Sequence, residues 1–164
     1  MTALSKGIVE LRRATLEDAD RLLAWRNDPL AVAMSKSGKH VEHEEHLVWL
    51  RKAVAEDWMR IFVAVVPGTG HIGFIRLKLE VSESLHIERI IGTVSIAVAA
   101  EHRGKGLGWQ MLDLALGEAA RVRCVEVRAD IHRHNIVSRR MFASRCFTLT
   151  SNPLGEWLEY RRTL

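Results

Sequence analysis

The chain has little of what small proteins use as staples or anchors. Two cysteines occur in 164 residues, Cys124 and Cys146, neither in a C-x-x-C pair nor beside a cluster of ligand spacing. A disulfide framework and a zinc site therefore find no support, no metal is expected, and a reducing compartment fits best. The longest apolar run, Ile61 to Val66, is far too short to span a bilayer, and Met1 to Gly7 lacks the apolar core of a signal peptide. The expected location is cytoplasmic, with no membrane partner. Aromatic residues make up 6% of the chain, with a single tyrosine, Tyr160. No run of them interleaves with Lys or Arg to make a base-stacking platform, so no nucleic acid is required as a partner. Neither sign of charge dominates: 24 Lys and Arg against 20 Asp and Glu leave +4. An anionic ligand accounts for that balance with fewer assumptions than a nucleic-acid face.

What is present is ordinary globular material. The 48% apolar and 27% charged fractions and the length suit one domain over residues 1–164 that buries its own core. Ile8 to Arg12 reads as a strand. Thr15 reads as an N-cap with Glu17 and Asp18 in the first turn, and the following helix stops at Asn27-Asp28-Pro29. Glu42 to Asp57 forms an amphipathic helix with Leu47, Leu50 and Val54 on one face. Ile61 to Val66 pairs across Pro67-Gly68-Thr69-Gly70 with a strand in which Ile75, Leu77, Leu79 and Val81 alternate with Arg76, Lys78 and Glu80. A polar stretch from Ser82 to Arg89 separates this hairpin from a strand at Gly92 to Ala99. A helix from Gly108 to Arg121, a strand from Val125 to Ile131, a helix from Ile136 to Ser144, and strands at Phe147 to Thr150 and Trp157 to Arg161 complete the order.

The informative junction is strand, glycine loop, helix: Arg103-Gly104-Lys105-Gly106-Leu107-Gly108. Glycines there let backbone N–H groups converge on an anion at a helix start. No G-K-[ST] follows, and the three-glycine dinucleotide spacing with its distant acidic residue is missing. A pyrophosphate other than that of ATP or NAD is the better ligand.

The segment from Val94 to Gly108 resembles the acetyl-CoA motif of the GNAT superfamily of N-acetyltransferases, Q/R-x-x-G-x-G/A after a central strand, with Arg103, Gly106 and Gly108 at the signature positions. Asn135-Ile136-Val137-Ser138-Arg139-Arg140-Met141-Phe142 resembles the family's N-x-x-[SA]-x-x-[LM]-[YF] segment. The resemblance implies an α/β fold with a mixed central sheet flanked by helices, and acetyl-CoA as co-substrate. It implies that Ile96, Ala97 and Val98 receive the pantetheine arm like an added strand, that the amides of Arg103, Gly104, Lys105, Gly106, Leu107 and Gly108 hold the pyrophosphate, and that Asn135, Ser138 and Phe142 border the cofactor. For Asn135 a helix cap is an equally natural role.

Acetyl transfer to an amine needs a neutral nucleophile, a stabilised oxyanion and a leaving thiolate. The resemblance implies the Val98 N–H, beside the thioester carbonyl in related enzymes, as the oxyanion donor. The resemblance makes Asp130, five residues before Asn135, the first choice of base, since ribosomal-protein alanine N-acetyltransferases of the superfamily carry a Glu on the neighbouring strand, and His132 shares its strand face at two-residue spacing. A carboxylate paired with Arg128 or Arg133, and a surface histidine, are the plainer readings. Where related enzymes carry a tyrosine as general acid the chain has Phe142, so a tyrosyl acid can only be Tyr160.

Trp25-Arg26-Asn27-Asp28-Pro29 and His46-x-x-Trp49 resemble GNAT members that acetylate UDP-linked amino sugars, and less sharply those acting on ribosomal-protein N-termini. The tryptophans could stack on a sugar or uracil and Arg26 pair with a diphosphate, or both tryptophans could simply pack the core. The expected partner is a small-molecule primary amine, with a UDP-amino sugar leading. A peptide N-terminus is the alternative acceptor, an acyl-CoA-binding regulatory protein the non-enzymatic alternative, and a homodimer stays open.

Overall fold

Alternating β-branched residues build most of a seven-stranded sheet. In the computed structural model, which describes residues 7–84 and 87–164, β1 (Glu10–Arg13) pairs antiparallel with β2 (Met59–Val66). β2 turns at Gly68 (φ 78°) into β3 (Gly70–Ser84), and β3 pairs antiparallel with β4 (Ile87–Val98). The polar stretch expected to interrupt the sheet is instead strand on both sides, with Ser82 opposite Arg89 and Ser84 opposite Ile87. Its hydrophilic side chains reflect arms that project beyond the core, with Val81 and Ile87 exposed. Leu85 and His86 lie outside the described residues.

β4 then pairs parallel with β5 (Cys124–His132), a connection that requires a crossover, supplied by α4 (Leu107–Arg121). β7 (Trp157–Thr163) runs antiparallel to β5, and the two-residue β6 (Thr148–Leu149) closes that edge, giving the order β1-β2-β3-β4-β5-β7-β6. The remaining helices are α1 (Ala19–Arg26), α2 (Pro29–Ala33), α3 (His43–Ala55) and α5 (Ile136–Ala143). This is the expected mixed α/β architecture.

Each face of the sheet has its own core. Leu107, Met111, Leu112, Ala115, Leu116 and Ala119 recur at helical spacing along α4 and bury against Ile75, Leu77, Val94 and Val127. On the other face Leu22 of α1 and Leu50 and Ala53 of α3 cover Met59, Ile61 and Val63 of β2. Those two helices cover the β1–β2 side, and the β4, β5 and β7 strands on that face carry polar residues instead.

The entry to α1 is pinned by a buried carboxylate. A 3-10 turn at Leu16–Asp18 precedes the helix, and Asp18, 2% exposed, accepts from Arg12 Nη1 and Nη2 at 2.8 and 2.7 Å, from Arg21 Nη1 at 3.0 Å and from the Thr15 N–H at 3.0 Å. Thr15 holds the cap position, but the carboxylate of Asp18 satisfies its amide. The Arg12 guanidinium, reinforced by the Thr15 amide and Arg21 against the cost of burial, holds the Asp18 carboxyl at about 2. Because the folded value lies below the unfolded one, the stabilisation is fully present above about pH 4 and is lost as pH falls toward 2. It amounts to roughly 1–2 kcal/mol, discounted because Arg12 is itself well exposed. Asp18→Asn is expected to lower urea stability by about 1–3 kcal/mol at pH 7 and to flatten the loss that the wild type shows between pH 4 and 2.

Candidate active site

Parallel pairing of β4 with β5 runs from Ile90 opposite Cys124 to Thr93 opposite Arg128 and ends there. Beyond it β4 continues to Val98 paired with β3, and β5 continues to His132 paired with β7, so the two central strands part. The backbone direction along this gap follows from its end. The Ala99 N–H donates to Ile72 O at 2.8 Å, and the Ala97 carbonyl is turned onto Gly73 of β3. Alternation then aims the backbone groups of Ile96 and Val98 into the gap. There Val98 O accepts from Arg103 Nε at 3.0 Å.

The glycine loop closes one end of the gap. Gly104 (φ 74°) and Gly106 (φ 76°) are both left-handed, and Gly106 is the N-cap of α4. It has no side chain to cap with, and no acidic residue lies in the first turn. The opening amides of α4 are therefore offered to an external acceptor. Gly108 serves packing: a Cβ there would lie 3.2 Å from Met141 Sδ and 3.7 Å from Val98 Cγ2, which sets α4 tight against α5 and the end of β4. Lys105 Nζ donates to Glu101 O at 2.8 Å.

Arg103 also donates through Nη2 to Asp28 Oδ1 at 2.7 Å. That oxygen accepts from the Leu30 and Ala31 amides at 3.1 and 3.2 Å, capping α2. The Arg103 hydrogen bond, with the two amides, holds the Asp28 carboxyl below the usual range against burial. Asp28 thus ties the segment after α1 to the glycine loop. It was legible only as a helix stop, although Asp-Pro is also the signature of an N-cap followed by N1.

Asp130 and His132 project from β5 on the face opposite α4. Lys36 Nζ is 2.6 Å from Asp130 Oδ2 and 5.7 Å from the centre of the Trp157 ring, so the carboxylate is committed to Lys36 rather than to Arg128 or Arg133. The His132 ring meets Trp157 edge-on at 5.3 Å, its Nδ1 accepts from the His134 N–H at 3.3 Å, and its Nε2 lies 3.6 Å from Glu156 Oε1.

Two expectations need correcting. Tyr160 pairs with Ala129, the neighbour of Asp130, and so points to the α4 face, buried, with its hydroxyl accepting from Arg139 Nε at 3.2 Å. The sheet lies between it and the Asp130–His132 pair. Phe142 is 4% exposed and packs edge-on against Phe147 at 4.9 Å, a core ring with no open side for a cofactor. Asn135 is the N-cap of α5, its Oδ1 accepting from the Ser138 N–H at 3.2 Å, with Ser138 half-buried beside it.

The amino-terminal residues divide. Trp25 lies parallel to Phe74 at 6.2 Å, and His46 meets Trp49 at 5.6 Å. His46 is buried, and burial lowers its basicity. Asn27 clamps Val41 through both backbone groups at 2.8 and 2.9 Å. Arg26 reaches Ser35 Oγ and Ser37 Oγ at 3.3 and 3.0 Å. Sequence reasoning gave one residue no role beyond strand alternation: Arg76 of β3. It donates to Ser95 Oγ at 3.3 Å on the Asp130 face of the sheet.

A parallel strand pair that parts against an uncapped, glycine-led helix is the frame of an acyltransferase that grips its acyl donor along a strand edge. The model of the acetyltransferase (GNAT) domain matches residues 9–145, and the chain belongs to that family. It is an acyltransferase of a family that uses acetyl-CoA. No curated protein matches. Among solved structures it is similar to a domain from Methanocaldococcus jannaschii DSM 2661, at 20% identity over 96% of this chain and 99% of that one with a TM-score of 0.80. It is similar to a ribosomal-protein-alanine N-acetyltransferase from Brucella melitensis at 23% identity, 94% and 99% coverage and a TM-score of 0.75. It is also similar to yncA from Salmonella typhimurium, solved with its cofactor acetyl-CoA, at 23% identity, 94% and 93% coverage and a TM-score of 0.74. At these identities the likeness is one of fold. Among the described residues no helix is long and apolar enough to cross a membrane, and no group of three or more His, Cys, Asp or Glu could hold a metal ion.

Proposed function

We propose that this single-domain chain transfers the acetyl group of acetyl-CoA directly to a primary amine, with an amino-sugar nucleotide as the leading acceptor. The observation that carries the reading is the gap between β4 and β5, lined by the backbone groups of Ile96 and Val98 that face away from β3, with the Val98 carbonyl held by Arg103, and closed by the uncapped start of α4. Ile96 and Val98 would pair with the pantetheine arm, with Ala97 between them. The first amides of α4, with Gly104 to Gly108, would hold the pyrophosphate, and Asn135 and Ser138 would border it. The bound cofactor supplies an activated thioester. The Val98 N–H, aimed into the gap by strand alternation, would be the donor to the oxyanion.

Asp130 is the proposed base, with His132 beside it as relay. Both occupy the open face, whereas Tyr160 faces the opposite core. A thiol with a pKa of about 8.5 makes a coenzyme A thiolate a tolerable leaving group, so transfer can proceed with a water or Ser138, or no acid at all, in place of a tyrosyl acid. Lys36 must yield Asp130 for the base to act. Trp25, Arg26, Asn27, His46 and Trp49 would shape the acceptor side, the tryptophans and Asn27 by packing it.

The test is release of free coenzyme A from acetyl-CoA with UDP-4-amino sugars, ribosomal N-terminal peptides and aminoglycosides. The likeness to a ribosomal-protein-alanine acetyltransferase makes the peptide the second candidate. With the acceptor that reacts, Asp130→Asn is expected to lower kcat about 10²- to 10⁴-fold and to leave acetyl-CoA affinity unchanged in titration calorimetry. Full activity in that variant removes Asp130 from the chemistry, and acetyl-CoA binding without transfer to any acceptor favours a regulatory protein.

A further inference from the structure

The polar face beside the gap has an imbalance of charge. Its carboxylates are all engaged: Asp130 with Lys36, Asp28 with Arg103, Glu126 with Arg128, and Glu159 with Arg161. Arg26 and Arg76 are left over. Among the described residues neither has a carboxylate within ion-pair distance, and their hydrogen bonds go only to neutral hydroxyls, of Ser35 and Ser37 for Arg26 and of Ser95 for Arg76.

Both side chains are half-buried. Arg26 Nη1 is buried with no hydrogen-bond partner. Burial, and then the charge of Arg26 itself, lower the Arg76 pKa, which places the two cations within each other's field. A buried guanidinium normally finds a carboxylate, because desolvating an unpaired charge is costly. Side chains that merely lend their methylene stems to packing send the charge outward; Arg76 instead holds it against the sheet face shared by Ser95 and Ala97, and Arg26 turns its head group onto the Ser35–Ser37 turn. Ser95 lies on the stretch of β4 that borders the gap, so the pair stands where an acceptor would meet the acyl donor.

We infer that Arg26 and Arg76 bind an anionic group, carboxylate or phosphate, carried by the acceptor amine itself. Bidentate guanidinium recognition fits either oxyanion, and the Ser37 and Ser95 hydroxyls, which accept from the two guanidiniums, add donors around it. Placement on the acceptor rests on the proposed transferase reading; the anion site does not. An amino-sugar diphosphate satisfies the requirement, a polycationic aminoglycoside does not, and a peptide N-terminus satisfies it only with an acidic residue close by.

Binding separates the two readings. The protein, first saturated with coenzyme A so that the helix start is occupied, is titrated calorimetrically with matched amines: glucosamine 6-phosphate against glucosamine, and methionine against methioninamide. In at least one pair the anionic member is expected to bind at least tenfold more tightly. The first pair reports phosphate, the second carboxylate. Arg76→Met and, separately, Arg26→Met are expected to erase that difference while acetyl-CoA affinity and circular dichroism stay as in the wild type, and Arg76→Lys is expected to restore part of it. No binding by any member, equal binding within both pairs, or a preference that survives both Met variants overturns the inference. Failure of acetyl-CoA to bind, with the anion preference intact, instead overturns the transferase reading alone.

Discussion

Gly73→Ala is expected to lower stability by about 3–5 kcal/mol, at the severe end of single substitutions, and the melting temperature by roughly 10 °C for a chain of this size. The cause is contact with backbone. An alanine Cβ at this position would lie 2.1 Å from the Ala97 carbonyl oxygen and 3.0 Å from Val98 Cα. No rotamer change moves either atom, so β3 and β4 must separate. They would separate at the segment where β4 leaves β5 and depends on β3 alone for its position. Gly73 also adjoins the register shift between Ala64 and Val65 in the β2–β3 ladder, so the ladder on its other side has no spare regularity to absorb the shift. Whatever folded protein remains should bind acetyl-CoA more weakly, because Ile96 and Val98 lose their alignment. Thermal unfolding by circular dichroism measures the first effect and calorimetry the second. Gly117→Ala serves as the reference: a Cβ there meets nothing within 4 Å on α4, and helix propensity predicts a gain of about 0.5–1 kcal/mol. A wild-type melting temperature for Gly73→Ala would mean that the two strands do not approach as described.

Gly73 also shows where sequence reading stops. All the elements but α2 were legible because they have local causes: a short apolar, β-branched run in β2, alternation in β3, helical spacing in α3 and α4, glycines at the loop. The gap between β4 and β5 was legible only through family resemblance, since nothing in Val94 to Val98 taken alone says that its neighbour departs. Charge on a strand misled in two ways. Arg76 alternates with apolar residues as a solvent-facing side chain would, yet it is half-buried and donates to Ser95 of β4. The polar residues from Ser82 to Arg89 read as a break, yet β3 extends to Ser84 and β4 starts at Ile87 opposite it, since a two-stranded projection beyond the core has no apolar face to advertise. Tyr160 was chosen by elimination, and elimination carries no information about which side of a strand a residue occupies. Only the pairing of Tyr160 with Ala129 does, and it puts a sheet between that hydroxyl and Asp130.

Gly106→Trp is expected to reduce acetyl-CoA affinity at least tenfold with a nearly unchanged circular dichroism spectrum. Two effects act at this position. With φ at 76°, any residue with a Cβ pays roughly 1–2 kcal/mol of left-handed strain, and the indole adds bulk at the mouth of the α4 amides. Gly104→Ala separates them. Gly104 has nearly the same backbone conformation, at φ 74°, and a Cβ there meets nothing within 4 Å, so that variant carries the strain without the obstruction. If strain alone governs binding, the two variants weaken acetyl-CoA alike. If the helix start is the phosphate site, Gly104→Ala loses a few-fold and Gly106→Trp loses far more. Wild-type affinity in Gly106→Trp would move the pyrophosphate away from this loop and, with it, the reason to place the thioester against Ile96 and Val98.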